Sequence, residues 1–571
     1  MTLLCSFATP LSAEQFGLFS YRVIEDAIEI SDYPEDAVGE VDIPAEIDGK
    51  PVTSIGDSAF ARCGGITSVE IPSSVTSIGH SAFLRCGGLN SVTIPGSVTS
   101  IGLGTFYLCG QLTDVTISPG VTSIGSRAFE SCFRLSSITL PPSIVSISSS
   151  AFDDCLDLRS IDVESENLDY ASVEGVLLDA ARSTLVRCPE GKSGFYSIPK
   201  GVATIGDRAF SACGSLTNVD FPASITNIGG RAFEGCIGLT SVAIPKGVTD
   251  IGGSAFSGCT RLVSVVFEGG VTSIGGSAFS NCRALTNFAI QRVTAIGSSA
   301  FSGCDRLTSV TIGGDATGVT TIGDSAFQDC GALVSFAVNR GSLSVGSSAF
   351  SCCRSLRSVT FPDTVTSIGF EAFLYCTSLT GITFPNTIRR IESGAFEGCG
   401  GLSEAVFRGD APGTLAPYVF ARTAPGFTIH YRGGATGFTS PRWYGYSATM
   451  IDEAVYPAAS WLMQNHLSYD TDLHQYLNED GVSLLLAYAL NLDPDRNLQS
   501  SLPEPVLTPD ALTLTFHAAS PGISYSVETS TDLRNWIASG VTLSGIGANN
   551  RLTASVSRSV PSRYLRLVVE D

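Results

Sequence analysis

The sequence of 571 residues predicts a mainly β fold, in which a solenoid of stacked 23-residue coils precedes a short helical segment and a small C-terminal β-sandwich. The first observation behind this prediction is a phenylalanine that recurs with a step of 23 residues over most of the first 430 residues. The second is a cysteine three residues after each phenylalanine. The third is a composition of 60 glycines and only 15% charged residues, typical of many tight turns around one long core.

The first segment of the chain, residues 1–13, is apolar and ends in Leu11-Ser12-Ala13, which resembles a signal-peptidase site before Glu14. The basic region that normally precedes the apolar stretch is missing, so we interpret residues 1–13 as a clipped signal peptide, with a disordered end as the alternative. A signal peptide predicts a secreted or cell-surface protein. Residues 14–52 are expected to form an N-terminal cap on the repeats.

The repeats are expected to occupy residues 53–446, in fourteen clear copies and a degenerate fifteenth at Phe420. Most steps are 23 residues long, with one of 22 and one of 26. The repeating phenylalanines are Phe60, Phe83, Phe106, Phe129, Phe152, Phe210, Phe233, Phe256, Phe279, Phe301, Phe327, Phe350, Phe373 and Phe396. One unit alone would expose its apolar side chains, so the units must stack on one another to bury them.

The sequence of each repeat unit predicts two short strands. In the second unit, Leu89, Val92 and Ile94 alternate as the inward side of the first strand. Pro95 ends that strand, because proline has no backbone N–H to donate to a ladder. Residues 98–101 predict the second strand.

These repeats resemble the BspA-like leucine-rich repeats of bacterial surface proteins, from about residue 16 to residue 446. Residues 43–52 resemble the segment that leads into the family's first repeat, and residues 410–443 resemble its C-terminal cap. Residues 160–199 interrupt the period and resemble its recurring hairpin insert. The resemblance implies a leucine-rich-repeat solenoid and adhesion to host or matrix proteins and to other cells.

Fourteen of the 17 cysteines follow the repeat period. Stacked cysteines one strand spacing apart are somewhat too distant for relaxed disulfide bonds, and they lack the close pairs that zinc sites use. We therefore predict a ladder of free, buried thiols, with no metal and no other cofactor. Cys188 and Cys352 do not follow the period, and we expect these two to be exposed or oxidised.

Two groups of large apolar residues interrupt the small and polar residues between the fixed repeat positions. The first apolar cluster consists of Leu84, Leu103, Tyr107, Leu108 and Phe133. The second apolar cluster consists of Phe370, Leu374 and Tyr375. If they point outward, both clusters are candidate ligand-binding sites of the kind that partner proteins bury. The alternative is that they pack under loops or against each other.

Residues 447–500 predict a helical linker, with apolar faces that include Trp461 and Leu490. Part of it resembles dockerin-like or thrombospondin-like calcium loops, but Tyr476 and Ala487 stand where two of the needed oxygen ligands belong. We therefore expect a degenerate loop that binds calcium weakly or not at all. Residues 501–571 predict the β-sandwich, in which Trp536 is a candidate carbohydrate contact.

The charge and motif content excludes several classes of function. A net charge of −21 opposes nucleic-acid binding, and no apolar run reaches the roughly 18 residues of a membrane span. The five histidines form no metal-protease pair, and we identify no catalytic motif. We predict a non-catalytic protein that binds an extracellular protein or cell-surface macromolecule. The alternatives are a structural cell-envelope spacer and carbohydrate binding by the C-terminal β-sandwich.

Overall fold

The computed structural model describes residues 14–313, 321–337, 344–452, 458, 461–462, 473–475, 482–492, 498–499, 502–508, 510–518, 520, 523–530, 541–544, 550–557 and 564–570. Residues 1–13, the calcium-like positions Tyr476, Asn478 and Asp480, and Trp536 lie outside the described residues. The chain divides into two compact units, one within 1–379, 390–401 and 415–423, the other within 380–389, 402–414 and 424–571.

The first unit begins with strands that close one end of the repeat core. These are Glu14–Phe16, Phe19–Ile24, Ala27–Asp32, Glu46–Ile47 and Lys50–Ile55. The first three pair antiparallel, and Ala27–Asp32 pairs parallel with Lys50–Ile55. The rings of Phe19 and Tyr33 cover the first repeat phenylalanine, Phe60, with the Tyr33 and Phe60 centroids 5.0 Å apart.

The strand ladder consists of one parallel strand from each coil. Its members in the first unit are Val38–Asp42, Gly65–Glu70, Ser91–Ile94, Asp114–Ile117, Ser137–Leu140, Ser160–Val163, Gly194–Ser197, Leu216–Asp220, Ser241–Ile244, Ser264–Phe267, Asn287–Gln291, Ser309–Gly313, Ser335–Ala337 and Ser358–Thr360. Val92 lies opposite Val69 and Val115, one coil away on either side. Leu89, Val92 and Ile94 are buried, as the alternation predicts, and the strand ends before Pro95.

The two-residue ladder is the second parallel ladder. Its strands are Ser77–Ile78, Ser100–Ile101, Ser123–Ile124, Ser146–Ile147, Thr204–Ile205, Asn227–Ile228, Asp250–Ile251, Ser273–Ile274, Ala295–Ile296, Thr321–Ile322, Ser344–Val345, Ser367–Ile368, Arg390–Ile391 and Thr414–Leu415. The coils approach closely beside this ladder: a Cβ atom on Gly252 would lie 2.5 Å from the carbonyl oxygen of Gly229. Glycine is therefore required there by the backbone of the preceding coil.

The repeat phenylalanines stack face to face along the core. Centroids of Phe83 and Phe106 are 5.2 Å apart with ring planes 6° from parallel, and the other pairs within each stack are similar. The thiols of twelve of the fourteen repeat cysteines donate to a phenylalanine carbonyl of the preceding coil, as Cys132 does to Phe106 at 3.3 Å, and those of Cys63 and Cys213 donate to other carbonyls. Burial raises the pKa of Cys132 to about 12. The predicted ladder of buried thiols is thus confirmed.

The expectation that Cys188 is exposed is wrong. The N–H of Cys188 donates to the carbonyl of Ala209, as that of Phe60 donates to the carbonyl of Ala82. Cys188 therefore occupies the stack position of a phenylalanine in the coil that the insert interrupts, and it is fully buried. Cys352 is partly buried, at the turn position two residues after Phe350.

The insert contributes three antiparallel strands, Tyr170–Val173, Val176–Asp179 and Thr184–Arg187, the last of which continues parallel into the two-residue ladder. The insert also carries a buried charge network. The Arg187 guanidinium lies 2.6 Å from Glu190 and 3.0 Å from Asp153. Glu190 accepts a hydrogen bond from the N–H of Asp154. In other coils, the N–H at this position donates instead to a backbone carbonyl of the next turn.

The second unit contains a parallel sheet of Gly381–Phe384, Glu404–Phe407, Thr428–Tyr431 and Tyr446–Met450, with Arg442–Trp443 paired antiparallel to the last of them. The described α-helix, Leu484–Ala489, is capped by the Ser483 hydroxyl, which accepts the N–H of Leu486. No helix in the described part of the chain is long and apolar enough to cross a membrane.

Two antiparallel sheets follow the helix. One contains Val506–Leu507, Ala511–His517, Arg551–Ser557 and Thr542–Leu543 in this order, and the other pairs Ser524–Ser530 with Tyr564–Glu570. Phe516 from the first sheet and Val527 from the second belong to one apolar cluster. The hydroxyl of Tyr525 donates to the carbonyl of Ala489 at 2.8 Å, so the helix end is bonded to a sheet.

Candidate interaction surface on the turn edge

The turn edge comprises, in every coil, the residues from three before to four after the stacked phenylalanine. Three backbone hydrogen bonds join each turn to the next, for example Ser81 N–H to Leu103 at 2.9 Å and Arg85 N–H to Tyr107 at 2.8 Å. Residues at equivalent positions therefore lie side by side on adjacent coils. A large side chain at one position contacts the same position in its neighbours.

Two positions of each turn have a left-handed backbone, namely two residues before and two residues after the phenylalanine. The second position is occupied by glycine or asparagine in five of the fifteen coils, such as Gly258 at φ 73° and Asn281 at φ 58°, and by other residues in the remaining ten. Leu108 and Tyr375 occupy the same position at φ 65° and 58°. A left-handed conformation costs a residue with a Cβ roughly 1–2 kcal/mol, so these two bulky residues are not placed for backbone stability.

The first apolar cluster lies on three successive turns and points outward. Leu103 is 47% exposed and Phe133 is 42% exposed, whereas Leu84, Tyr107 and Leu108 are half-buried. Leu84 and Tyr107 share one position on adjacent coils, and Phe133 covers Gly110 of the preceding coil, where a Cβ atom would lie 3.3 Å from the ring. Leu103 and Phe133 are exposed, so the alternative in which these side chains pack under loops does not hold for these two residues.

The second apolar cluster uses the same turn positions as the first. Phe370 is 47% exposed and corresponds to Leu103, while half-buried Leu374 corresponds to Tyr107. Tyr375, 41% exposed, lies across Gly398 of the next coil, where a Cβ atom would be 2.3 Å from the ring. Gly398 is thus needed for Tyr375 to keep its position.

Three exposed apolar residues on the turn edge were not predicted. Leu156 occupies the position of Phe133 in the following coil, and Ile237 occupies it in a later one. Tyr418 is at the left-handed position before Phe420. Aligning every coil on its phenylalanine would have found all three, because exposure follows the repeat position.

Charged residues surround the first apolar cluster. Arg62, Arg85 and Arg134 are exposed. Arg127 lies 3.3 Å from Glu130. Burial, which outweighs the opposite effect of Arg127, raises the pKa of the Glu130 carboxyl. The edge of this cluster is therefore rich in guanidinium groups, although the whole chain is acidic.

The outer face of the strand ladder offers a different surface of small polar side chains, for example Asn90, Thr93 and Thr116. Several of its hydroxyls are already bonded to the backbone, as when Thr113 donates to the carbonyl of Asn90 at 3.2 Å. Among the described residues, no three histidine, cysteine or carboxylate side chains are placed to hold a metal ion. The turn edge is the surface with the most distinctive chemistry.

Comparison with known proteins matches the repeats to a family. The model of the BspA type leucine-rich repeat region matches residues 52–172, 193–308 and 294–424. No curated protein sequence matches the chain.

Several solved structures are similar to this chain. A leucine-rich cell surface protein from Faecalibacterium prausnitzii A2-165 is 29% identical, with 53% of this chain and 95% of that chain covered and a TM-score of 0.40. A leucine-rich repeat protein from Bacteroides ovatus ATCC 8483 is 24% identical, with 77% and 100% covered and a TM-score of 0.43. One from Eubacterium ventriosum ATCC 27560 is 23% identical, with 67% and 93% covered and a TM-score of 0.40.

Proposed function

Because the chain belongs to the BspA-type leucine-rich repeat family, we propose that it is a non-catalytic protein, secreted or at the cell surface, that binds other proteins through its turn edge. Adhesion to a macromolecule outside the cell is the form of binding that fits best. The two apolar clusters are the proposed contact sites, and no part of the proposal requires a metal, a cofactor or a reaction.

The observation that carries this proposal is the pair Leu108 and Tyr375. Both are bulky, both adopt a left-handed backbone, and neither is fully buried. A residue that adds strain without filling the core has a reason outside the fold, and exposed apolar side chains favour contact with a partner. In the other coils this position holds glycine four times and otherwise a small or charged residue such as Ala212 or Arg85, so Leu108 and Tyr375 differ from the rest by their large, uncharged side chains.

The proposal is tested with beads that carry the full chain and bind to immobilised matrix proteins and to whole cells. We expect Tyr107→Ser with Phe133→Ser to reduce bead retention at least fivefold, because hot-spot aromatic residues typically contribute more than 1 kcal/mol each. Phe370→Ser with Tyr375→Ser tests the second apolar cluster. A matched control, Ser257→Ala with Ser280→Ala, changes the same edge in the middle coils and should leave retention unchanged.

Equal retention by all variants, with unaltered circular dichroism and thermal unfolding, would contradict the proposed contact sites. The location is tested separately, by protease treatment of intact cells of the native source and mass spectrometry of the released peptides. Recovery of repeat peptides supports exposure outside the cell. Detection of the chain in the lysate alone, with residues 1–13 attached, contradicts it.

A second candidate function is a structural spacer of the cell envelope. The two phenylalanine stacks support this candidate, because rings 4.7–5.7 Å apart give the coils of each stack the same stacked interior whatever their surface. A spacer needs neither apolar cluster. The bead experiment therefore separates the two functions, since only the adhesion function depends on Tyr107 and Phe133.

A further inference from the structure

The sign of the charge differs between the edge of the first apolar cluster and the chain as a whole. The chain has a net charge of −21, but the four turns around Phe60, Phe83, Phe106 and Phe129, counted together with the residue that follows each turn, carry four arginines and two carboxylates. Within the described part of the chain, Arg62, Arg85 and Arg134 form no ion pair, and all three are exposed. Three guanidinium groups are thus available to a partner.

The arginines occupy turn positions that are equivalent to, or next to, those of the apolar residues. Arg85 and Leu108 share one turn position on adjacent coils, whose stacked rings are 5.2 Å apart, and Arg62 holds that position one coil earlier. Arg134 directly follows Phe133. The cluster therefore has cations along one side and at its end.

The carboxylates of this region already have partners. Asp57 accepts the N–H of His80 at 2.6 Å, so it is bound to the backbone of the next turn. Glu130 is held by Arg127 at 3.3 Å. Neither carboxylate therefore forms an ion pair with Arg62, Arg85 or Arg134 in the described part of the chain. Asp157, whose N–H donates to the carbonyl of Phe133 at 3.3 Å, adds one exposed carboxylate at the end of the cluster next to Arg134.

The second apolar cluster has the opposite surroundings. Glu371 precedes Phe373 by two residues, and the nearby Glu397 is 3.6 Å from Arg422. Around the second apolar cluster, the carboxylates are at least as many as the cations, so this cluster can be compared with the first. The two clusters share apolar chemistry and turn positions and differ in charge.

We propose that the first apolar cluster binds an acidic polypeptide segment in which glutamate or aspartate alternates with apolar side chains. This inference rests on the proposed binding function and names the partner's chemistry. Guanidinium groups bind carboxylates through paired, charge-assisted hydrogen bonds, and the apolar side chains of the segment cover Leu103, Tyr107 and Phe133. Electrostatic complementarity selects this partner against neutral or basic segments.

The test uses fluorescence anisotropy of the full chain with labelled peptides of equal length. One peptide alternates glutamate and leucine, a second lysine and leucine, and a third glutamate and serine. We expect the glutamate–leucine peptide to bind at least tenfold more tightly than the other two at low ionic strength. Its affinity should fall as salt is added, since screening weakens exposed charge pairs.

The decisive variant combines Arg62→Ser, Arg85→Ser and Arg134→Ser, which should weaken binding of the glutamate–leucine peptide about tenfold, as expected for three exposed charge pairs of about 0.5 kcal/mol each. The matched control applies the same change to exposed middle-coil arginines: Arg261→Ser, Arg283→Ser and Arg306→Ser. It alters the net charge equally and should leave the affinity unchanged.

Several outcomes would overturn the inference. Equal losses in both triple variants would show a response to net charge alone. Equal binding of the lysine–leucine peptide would show no charge selection, and equal binding of the glutamate–serine peptide or of heparin would show a general polyanion site. Concentration-dependent dimerisation that the first triple variant abolishes would identify a second copy as the occupant.

The bead experiment separates this inference from the proposed function. If Tyr107→Ser with Phe133→Ser loses adhesion while the arginine variant keeps it, the first apolar cluster is the binding site and its partner is not acidic. If neither variant changes adhesion, the proposed function of this cluster fails as well.

Discussion

The turns around Phe106 and Phe279 share the phenylalanine stack in their interior and have different surfaces, although Phe279 also packs edge-on against Phe288 at 5.3 Å. Phe83 and Phe106 stack at 5.2 Å, and Phe256 and Phe279 stack at 5.3 Å. The carbonyls of Tyr107 and Ser280 each accept a hydrogen bond from an N–H of the preceding coil, and the distance is 2.8 Å in both places. On the surface, however, Tyr107 and Leu108 stand where the later coil has Ser280 and Asn281.

This comparison shows that the repeat backbone does not need large apolar residues at the turn edge. The middle coils close their core, stack their rings and satisfy their turn hydrogen bonds with serine and asparagine alone. The first apolar cluster is therefore an addition to a complete fold. Additions of this kind are best explained by a surface that other molecules contact.

The largest expected effect on stability comes from changing the phenylalanine stack, which the two regions share. We expect Phe106→Ala and Phe279→Ala each to lower the free energy of unfolding by about 3–5 kcal/mol, because each ring is fully buried between two others. Urea unfolding followed by circular dichroism measures both. A large difference between the two variants would show that the interiors are not equivalent, and the comparison of their surfaces would lose its basis.

A smaller effect is expected at the insert, between the two phenylalanine stacks. Burial raises the pKa of the Glu190 carboxyl to about 7. The Arg187 guanidinium and the backbone N–H of Asp154 act to lower this pKa, whereas the carboxylates of Asp153 and Asp154 act to raise it further. Arg208, 2.7 Å from Asp153, completes the charged surroundings. The ordinary value is 4.5, so the native chain holds an extra proton between about pH 4.5 and 7.

The free energy of unfolding should consequently fall as the pH rises through this window, by up to about 3 kcal/mol, since one pKa unit corresponds to about 1.4 kcal/mol. Glu190→Gln removes the titrating group and should remove this part of the pH dependence. Urea unfolding of both proteins at pH 5.5 and pH 8 measures the difference. Parallel pH dependence in the two proteins would mean that Arg187 keeps Glu190 ionised throughout.

Much of the repeat fold follows from the sequence, because the repeat period fixes both the spacing between equivalent strands and the face on which each side chain lies. Once the strand of one coil is placed, alternation puts Leu89, Val92 and Ile94 inside. The same logic predicts the buried thiols, since each of the fourteen repeat cysteines holds the same position relative to its phenylalanine. Aligned positions also predict the exposure of Phe370 from that of Leu103.

The period gives no information where it stops. Cys188 follows an insert of different length, so its replacement of a stacked phenylalanine is visible only in the backbone hydrogen bonds. Nothing in the sequence marks Arg187 and Glu190 as buried, because isolated charged residues are normally exposed. The ligand-binding role of the two apolar clusters stays a prediction.

The smallest expected effect tests the backbone argument itself. Gly258→Leu introduces into a middle coil the residue that Leu108 provides in the first apolar cluster, at a position with the same left-handed backbone. The nearest atom to the added Cβ would be 3.6 Å away, so no clash contributes. We expect a loss of about 1–2 kcal/mol in the free energy of unfolding from backbone strain alone, and a smaller loss for Gly258→Asn, because asparagine tolerates this conformation better. If urea unfolding shows no loss for leucine, the position is not strained, and Leu108 and Tyr375 require no functional explanation.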